Sequence, residues 1–122
     1  RGYMSCLFNS LQHFVEESSG KIRGMICDYL AENRPIMEGL DTDFILSMDR
    51  PNYIAQMRRT STWGGAIEIQ AACNIWNMSV HVYDIRRRRG GASVIKFIPV
   101  VGEFDRVVKL NWNGGHYTHR ND

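Results

Sequence analysis

The stretch 66–76 narrows the fold more than any other part of the chain. Ile69, Ala72, Cys73 and Trp76 form one helical stripe, and Ile67, Ala71 and Ile75 fill much of the remaining surface. A helix that is apolar on nearly every side has to be enclosed by other elements, so this spacing predicts a central, buried helix. Thr62-Trp63-Gly64-Gly65 precedes it as a loop. Glu68 falls in its first turn, where the helix dipole favours a carboxylate. After Asn77 the apolar period changes from 3.6 to 2. Val80 and Val82 alternate with His81 and Tyr83, the pattern of a half-buried strand.

Further strands are expected at 94–99 and 107–112, with a last short one starting at His116 after Gly114-Gly115. Helices come first. One starts near Cys6, capped by Ser5, buries Leu7, Leu11, Phe14 and Val15, and fades around 16–20. A second, capped by Ser18 or Ser19, buries Ile22, Met25, Ile26, Tyr29 and Leu30. Asn33-Arg34-Pro35 ends it, because the residue before a proline is pushed out of helical geometry. A short helix is expected around Phe44, Ile45 and Met48, and another opened by Pro51 and running through Tyr53, Ile54 and Met57. Helices followed by an antiparallel meander predict an α/β domain, with several helices packed on a small, mainly antiparallel sheet.

With 122 residues the chain is long enough for one domain with one core, and a single domain over 1–122 is expected. The net charge of +2 is too small to argue for nucleic acid or an anionic membrane as partner. No apolar run approaches the ~20 residues that span a bilayer, and nothing resembles a signal peptide. Three cysteines, an odd number, fit no disulfide framework and point to a reducing compartment, the cytoplasm. The chain opens at Arg1 with no initiator methionine, as a segment of a longer protein would. Arg86 to Arg89 read as a solvated basic turn between two strands.

Cys27 and Cys73 lie in apolar stripes and are expected to be inert core thiols. Cys6 differs, because it opens a helix. The free N–H groups there favour a thiolate, the nucleophilic form of cysteine. Cys6 also fits the plainer role of a small core side chain at a helix start. No pair has CxxC spacing, so neither a metal nor another cofactor is expected. A cysteine nucleophile needs a base, usually histidine, oriented by a third polar group. His13 lies seven residues along the same helix, about 10 Å away at 1.5 Å per residue, too far for a hydrogen bond. His81 reads as a sheet residue among valines, and alternation puts His119 with Tyr117 on the face opposite His116 and Thr118. His116 follows two glycines that allow close backbone approach, as a thin substrate tail requires, though an ordinary loop histidine would look the same.

Three blocks together resemble the ovarian-tumour (OTU) family of cysteine deubiquitinases. Ser5-Cys6-Leu7-Phe8-Asn9-Ser10-Leu11 resembles its nucleophile helix. The run from Thr62 to Ile69, followed by Val80-His81-Val82-Tyr83-Asp84, resembles its central helix entry and next strand. Trp112 through Gly114-Gly115-His116-Tyr117 resembles its catalytic-histidine block. The resemblance implies a papain-like OTU protease fold, Cys6 as nucleophile and His116 as base. It also implies hydrolysis of the isopeptide bond after the C-terminal Gly-Gly of ubiquitin or a ubiquitin-like protein. Tyr3, Met4 and Ser5 then stand in the oxyanion loop, and Trp63, Gly64, Trp112, Gly114, Gly115 and Tyr117 in the channel for the substrate tail.

Two departures are visible. Where the family usually writes Asp-Gly-x-Cys, this chain has Tyr3 and Met4 at the Asp and Gly positions, with Gly2 one residue further upstream. Backbone donors tolerate such side-chain changes. The slot two residues after the histidine, commonly Asn or Asp, holds Thr118. A hydroxyl can accept a bond from imidazole but brings no charge. Asn121, Asp122 or a residue upstream of Arg1 are the other candidates for the third group. Two other readings compete with the enzyme: an inactive OTU-like ubiquitin-binding module, and a viral polyprotein-processing cysteine protease. The expected setting is a monomer in the cytoplasm (the host's, for a viral or bacterial protein), with ubiquitin as partner and neither nucleic acid nor membrane involved.

Overall fold

The computed structural model describes residues 2–86 and 93–122. The Tyr3 side chain and residues 87–91 of the basic turn lie outside the described residues.

Five α-helices and four strands are present among the described residues: α1 Cys6–Leu11, α2 Ser19–Ala31, α3 Thr42–Asp49, α4 Tyr53–Met57, α5 Ala66–Trp76, β1 Met78–Asp84, β2 Ser93–Phe97, β3 Arg106–Trp112 and β4 Tyr117–Arg120. The central helix falls where its apolar surface requires. In α5, Ile69, Ala71, Ala72 and Cys73 are buried, and Asn77 closes the helix with φ of 49° before β1 begins. α5 packs on β1 and α2, and α1 packs on α2 and β4.

Several local expectations are corrected. α1 ends at Leu11 rather than fading past Glu16. The N–H groups of His13, Phe14 and Val15 turn back onto Ser10 and Leu11, which tucks Val15 into the core without further helix. Ser5 stands at the N-cap position but makes no capping bond, because its hydroxyl accepts a hydrogen bond from Arg23 at 3.0 Å instead. Ser18 does cap α2, accepting from the Lys21 N–H at 3.2 Å. Met25 lies on the margin of the α2 core face, half-buried, and Arg23 takes a buried place. In α3 the buried residues are Thr42 and Leu46, one turn apart, so Phe44 and Met48 face outward at 54% and 72% exposure. Pro51 does not open α4; Asn52 follows it with φ of 54°, and the helix starts at Tyr53.

The sheet is mixed rather than a meander, in the order β2-β1-β3-β4. β1 pairs antiparallel with β2 and parallel with β3, which pairs antiparallel with β4. Two of the three pairings are thus antiparallel, but residues 98–105 carry the chain across β1 to its other side. Three bonds pin that crossing: Gln70 Nε2 to the Ile98 carbonyl at 2.7 Å, the Val100 N–H to Asn74 Oδ1 at 3.0 Å, and the Asp105 N–H to the Asn77 carbonyl at 3.2 Å. Burial explains the order. Val80 and Val82 sit opposite Val108 and Leu110, all buried, so these two strands form the centre, and the exposed β2 takes an edge. The consequence for the site is that β4, the last strand, lies against α1, the first helix.

Candidate active site

The N-terminal end of α1 and the start of β4 meet at a pocket of about 240 Å³. Its walls are Cys6, Asn9, Ser10 and His13 from the α1 side and His116, Tyr117, Thr118 and His119 from the β4 side. Cys6 is 4% exposed, held from below by the stripe of Leu7 and Leu11 in the core. The backbone N–H of Tyr117 donates to Cys6 Sγ at 3.3 Å, across 111 residues of sequence. A donor aimed at sulfur is accepted more strongly by a thiolate than by a thiol, so this contact suits a nucleophile. Within α1 the Ser10 hydroxyl bonds the Cys6 carbonyl at 2.7 Å.

His116 stands at the end of the glycine loop, half-buried. The loop is closed by the Asn113 N–H to the His116 carbonyl at 3.2 Å and the Gly115 N–H to Asn113 Oδ1 at 3.0 Å. Gly114 needs to be glycine, with φ of 102° and a would-be Cβ only 2.9 Å from Arg86 Cδ. Arg86, paired with Asp84 through Nε at 2.9 Å and Nη2 at 2.6 Å, therefore lies against the histidine loop. Trp112 packs on Tyr117 with ring centroids 4.7 Å apart.

Thr118 lines the same pocket but is exposed, and no hydrogen bond links it to His116 among the described residues. Its cross-strand partner Asn111 already accepts from Arg120 at 2.9 Å, and Asp122 is held by Arg120, which pulls its carboxyl down. His13, too distant in sequence to bond Cys6, still reaches the pocket wall. Its ring stacks on His119 with centroids 3.5 Å apart. His81 is elsewhere, on β1 between Lys96 and Lys109, with its pKa lowered by burial and by those two charges.

Trp63 and Gly64 are not on this pocket. They line a separate one of about 260 Å³ with Asp49, Arg50, Tyr53 and Glu68. Gly64 is required by packing: a Cβ there would lie 2.8 Å from Leu7 Cδ2 and 2.9 Å from Phe8 Cζ, directly behind the Cys6 helix. Met4 and Ser5, just ahead of Cys6, are both gripped by Arg23. The sequence contains a signal for that arginine, since residues 23, 27 and 30 share one helical stripe. The other two cysteines are 0% exposed, and burial raises Cys27 to about 11 and Cys73 to about 12.

Residues 4–117 match the model of the OTU-like cysteine protease family. The chain belongs to this family. A ubiquitin thioesterase of Schizosaccharomyces pombe is 31% identical over 127 residues, covering 93% of this chain and 41% of that protein. A ubiquitin thioesterase of Danio rerio is 28% identical over 119 residues, covering 93% of this chain and 36% of that protein. The chain thus spans less than half the length of these relatives. Among solved structures, an ovarian-tumour domain in complex with ubiquitin superposes with a TM-score of 0.71 at 25% identity, covering 95% of this chain and 63% of that one. The viral OTU protease of Dera Ghazi Khan virus shares the fold, with a TM-score of 0.67 at 21% identity. The papain-like OTU architecture of helices on a mixed sheet is therefore this chain's fold.

Proposed function

We propose that this OTU domain is a cysteine deubiquitinase that hydrolyses the bond after the C-terminal Gly-Gly of ubiquitin or a ubiquitin-like protein. The observation that carries the reading is the Tyr117 N–H on Cys6 Sγ, which docks the histidine block onto the start of α1. The family membership and the printed names of the thioesterase relatives support the same substrate class.

In this reading Cys6 Sγ attacks the carbonyl carbon of the terminal glycine. His116 takes the thiol proton and delivers it to the departing lysine amine, leaving a thioester on Cys6. Water, deprotonated by His116, then attacks the thioester and releases the free carboxylate and the Cys6 thiol. The loop of Tyr3, Met4 and Ser5 supplies backbone donors for the developing oxyanion. Thr118, which lines the same pocket without bonding His116 in this structure, is the third group, a neutral acceptor for the imidazole once catalysis protonates it. Tyr117, Trp112, Gly114 and Gly115 form the wall along which the tail lies, and Trp63 contributes from the neighbouring pocket. Three free, buried thiols suit a reducing compartment, and we assign the domain to the cytoplasm as a monomer. Among the described residues no helix is long and apolar enough to cross a membrane.

The test is a ubiquitin probe carrying a C-terminal electrophile. It should label the protein once, and Cys6→Ala should abolish labelling and turnover while Cys27→Ala and Cys73→Ala do not. His116→Ala should cut turnover by at least ~10²-fold with the fold intact, the usual scale for a lost general base. Normal turnover by Cys6→Ala sinks the mechanism.

A further inference from the structure

Arg23 is 3% exposed, a full charge enclosed in the core and outside the catalytic pocket. Its Nη1 donates to the carbonyls of Met57 at 2.9 Å and Thr62 at 2.8 Å. Its Nη2 donates to Ser5 Oγ at 3.0 Å and to the Met4 carbonyl at 3.4 Å. The guanidinium also lies over the Phe8 ring, 4.2 Å from its centroid. Among the described residues no carboxylate forms a salt bridge with it. A buried charge that no carboxylate touches, with Glu68 acting on it only through space, is a poor way to gain stability, and an apolar side chain would fill the space at less cost. What guanidinium supplies instead is geometry: a rigid planar fork whose donors are fixed relative to one another. That fork joins three segments. They are the turn ahead of Cys6, the C-terminal end of α4, and the loop into Trp63-Gly64. Its stacking partner Phe8 sits in the first turn of α1. Both sides of the nucleophile are thus registered against one plane.

We propose that Arg23 is the positioning residue of the active site. It fixes the Met4–Ser5 peptide and the first turn of α1, so that Cys6 and the backbone donors around it keep their alignment with His116 through acylation. The inference rests on Cys6 being the nucleophile. It assigns Arg23 no contact with substrate and no proton.

Arg23→Lys keeps the charge but concentrates it at one nitrogen, which cannot serve Met57, Thr62, Met4 and Ser5 together. Arg23→Met keeps the bulk and removes every donor. Leu30→Ala is the control: it is fully buried on the same helix but remote from the Met4–Ser5 segment, and it weakens the core. Kinetics on a fluorogenic ubiquitin C-terminal amide are measured well below each variant's melting temperature. Arg23→Lys should lower kcat by at least ~10-fold with KM within about threefold, because a misplacement of about 1 Å can cost ~10²-fold. Leu30→Ala should keep the parent kcat while folded. Hydrogen exchange in Arg23→Lys should speed up at the amides of residues 4–8 and stay unchanged in α5 and β1. Should neither Arg23 variant fold, Ser5→Ala removes one acceptor without disturbing the core, and a kcat lowered about threefold supports the proposal. A parent kcat in folded Arg23→Lys, or in Ser5→Ala, overturns it. So does a loss of kcat in Leu30→Ala that matches the Arg23 variants. Activity surviving in Cys6→Ala would instead overturn the functional reading itself.

Discussion

The two glycines that lead into α5 look alike in sequence but should respond oppositely to a single methyl group. At Gly64 a Cβ would stand 2.8 Å from Leu7 Cδ2 and 2.9 Å from Phe8 Cζ. Carbon atoms rest at ~3.5 Å or more, so each contact is short by roughly 0.7 Å. The side chains have little room to retreat, because Leu7 and Phe8 are 1% and 0% exposed and locked in the core. Relief must come from moving α1 away from the 62–65 loop. Overpacking of this kind costs about 1–3 kcal/mol, or roughly 4–15 °C in melting temperature for a domain of this size. α1 carries Cys6, so Gly64→Ala should also lower ubiquitin cleavage, by up to ~10²-fold for a shift near 1 Å. At Gly65 the nearest atom to a Cβ is Glu68 Oε1 at 4.0 Å, and φ is −149°. Gly65→Ala should therefore change stability by less than about 1 kcal/mol and activity by no more than a few-fold. Thermal melts and cleavage rates on the two variants decide the matter. A Gly64→Ala protein with parental melting temperature and rate would refute the packing argument.

Three further outcomes are expected. Glu68 is 1% exposed and accepts from the Tyr53 hydroxyl at 2.5 Å and the Gly65 N–H at 2.7 Å, yet burial outweighs both bonds and pushes its carboxyl up. A raised acid favours the fold below its ordinary range and loses that contribution as pH rises through the folded value, so denaturant midpoints of Glu68→Gln should fall less with rising pH than the parent's. Parallel pH curves would refute this. Thr118→Ala should cost about 10-fold or less, a neutral hydrogen bond contributing only about 1 kcal/mol, and Thr118→Asp should match or exceed the parent rate; a folded but dead Thr118→Asp would move the third group elsewhere. Replacing Arg86, Arg87, Arg88 and Arg89 together by Gln should leave cleavage of a ubiquitin amide within a few-fold, since Gln keeps a stem against Gly114. A collapse in rate with an unchanged melting curve would show that the run meets substrate.

How much could be read from the residues depended on whether the information was local. The extent of α5 was legible because its apolar surface, Gly65 ahead of it and Asn77 behind it all act within a few residues. The interval from Ser18 to Asn33 was legible for the same reason. α1 was read too long because Phe14 and Val15 continue a helical stripe in sequence, while the chain reaches the same burial by turning. The short helix around Phe44, Ile45 and Met48 was legible, but not which of its faces would be buried. The neighbours that select a face of α3 are Thr42, which bonds the Arg34 carbonyl at 2.6 Å, and Leu46, and neither has a periodic signature of its own. The strand order was hidden for a related reason. Four alternating segments fit a meander as well as a mixed sheet, and the residues that decide, Gln70 and Asn74, lie on a helix and bond the 98–100 segment.

For the site, residue chemistry pointed at the ends of the chain, and the fold supplied the distance between them. Cys6 was distinguished from Cys27 and Cys73 by its place at a helix start, and burial of the other two holds their thiols protonated at neutral pH. Nothing in the first eleven residues says that Tyr117 will lie 3.3 Å away. That contact needs the parallel β1–β3 pairing, which sets β3 beside the central strand and leaves β4 on the edge facing α1. The crossover that defeated the sequence reading of the sheet is thus the feature that closes the site. If residues 98–105 formed a simple hairpin, β3 would lie outside β2, and β4 would end on the other side of β1, away from the edge that faces α1. Gln70→Ala and Asn74→Ala, which unpin the crossover, should accordingly weaken activity along with stability, although neither residue lines the pocket.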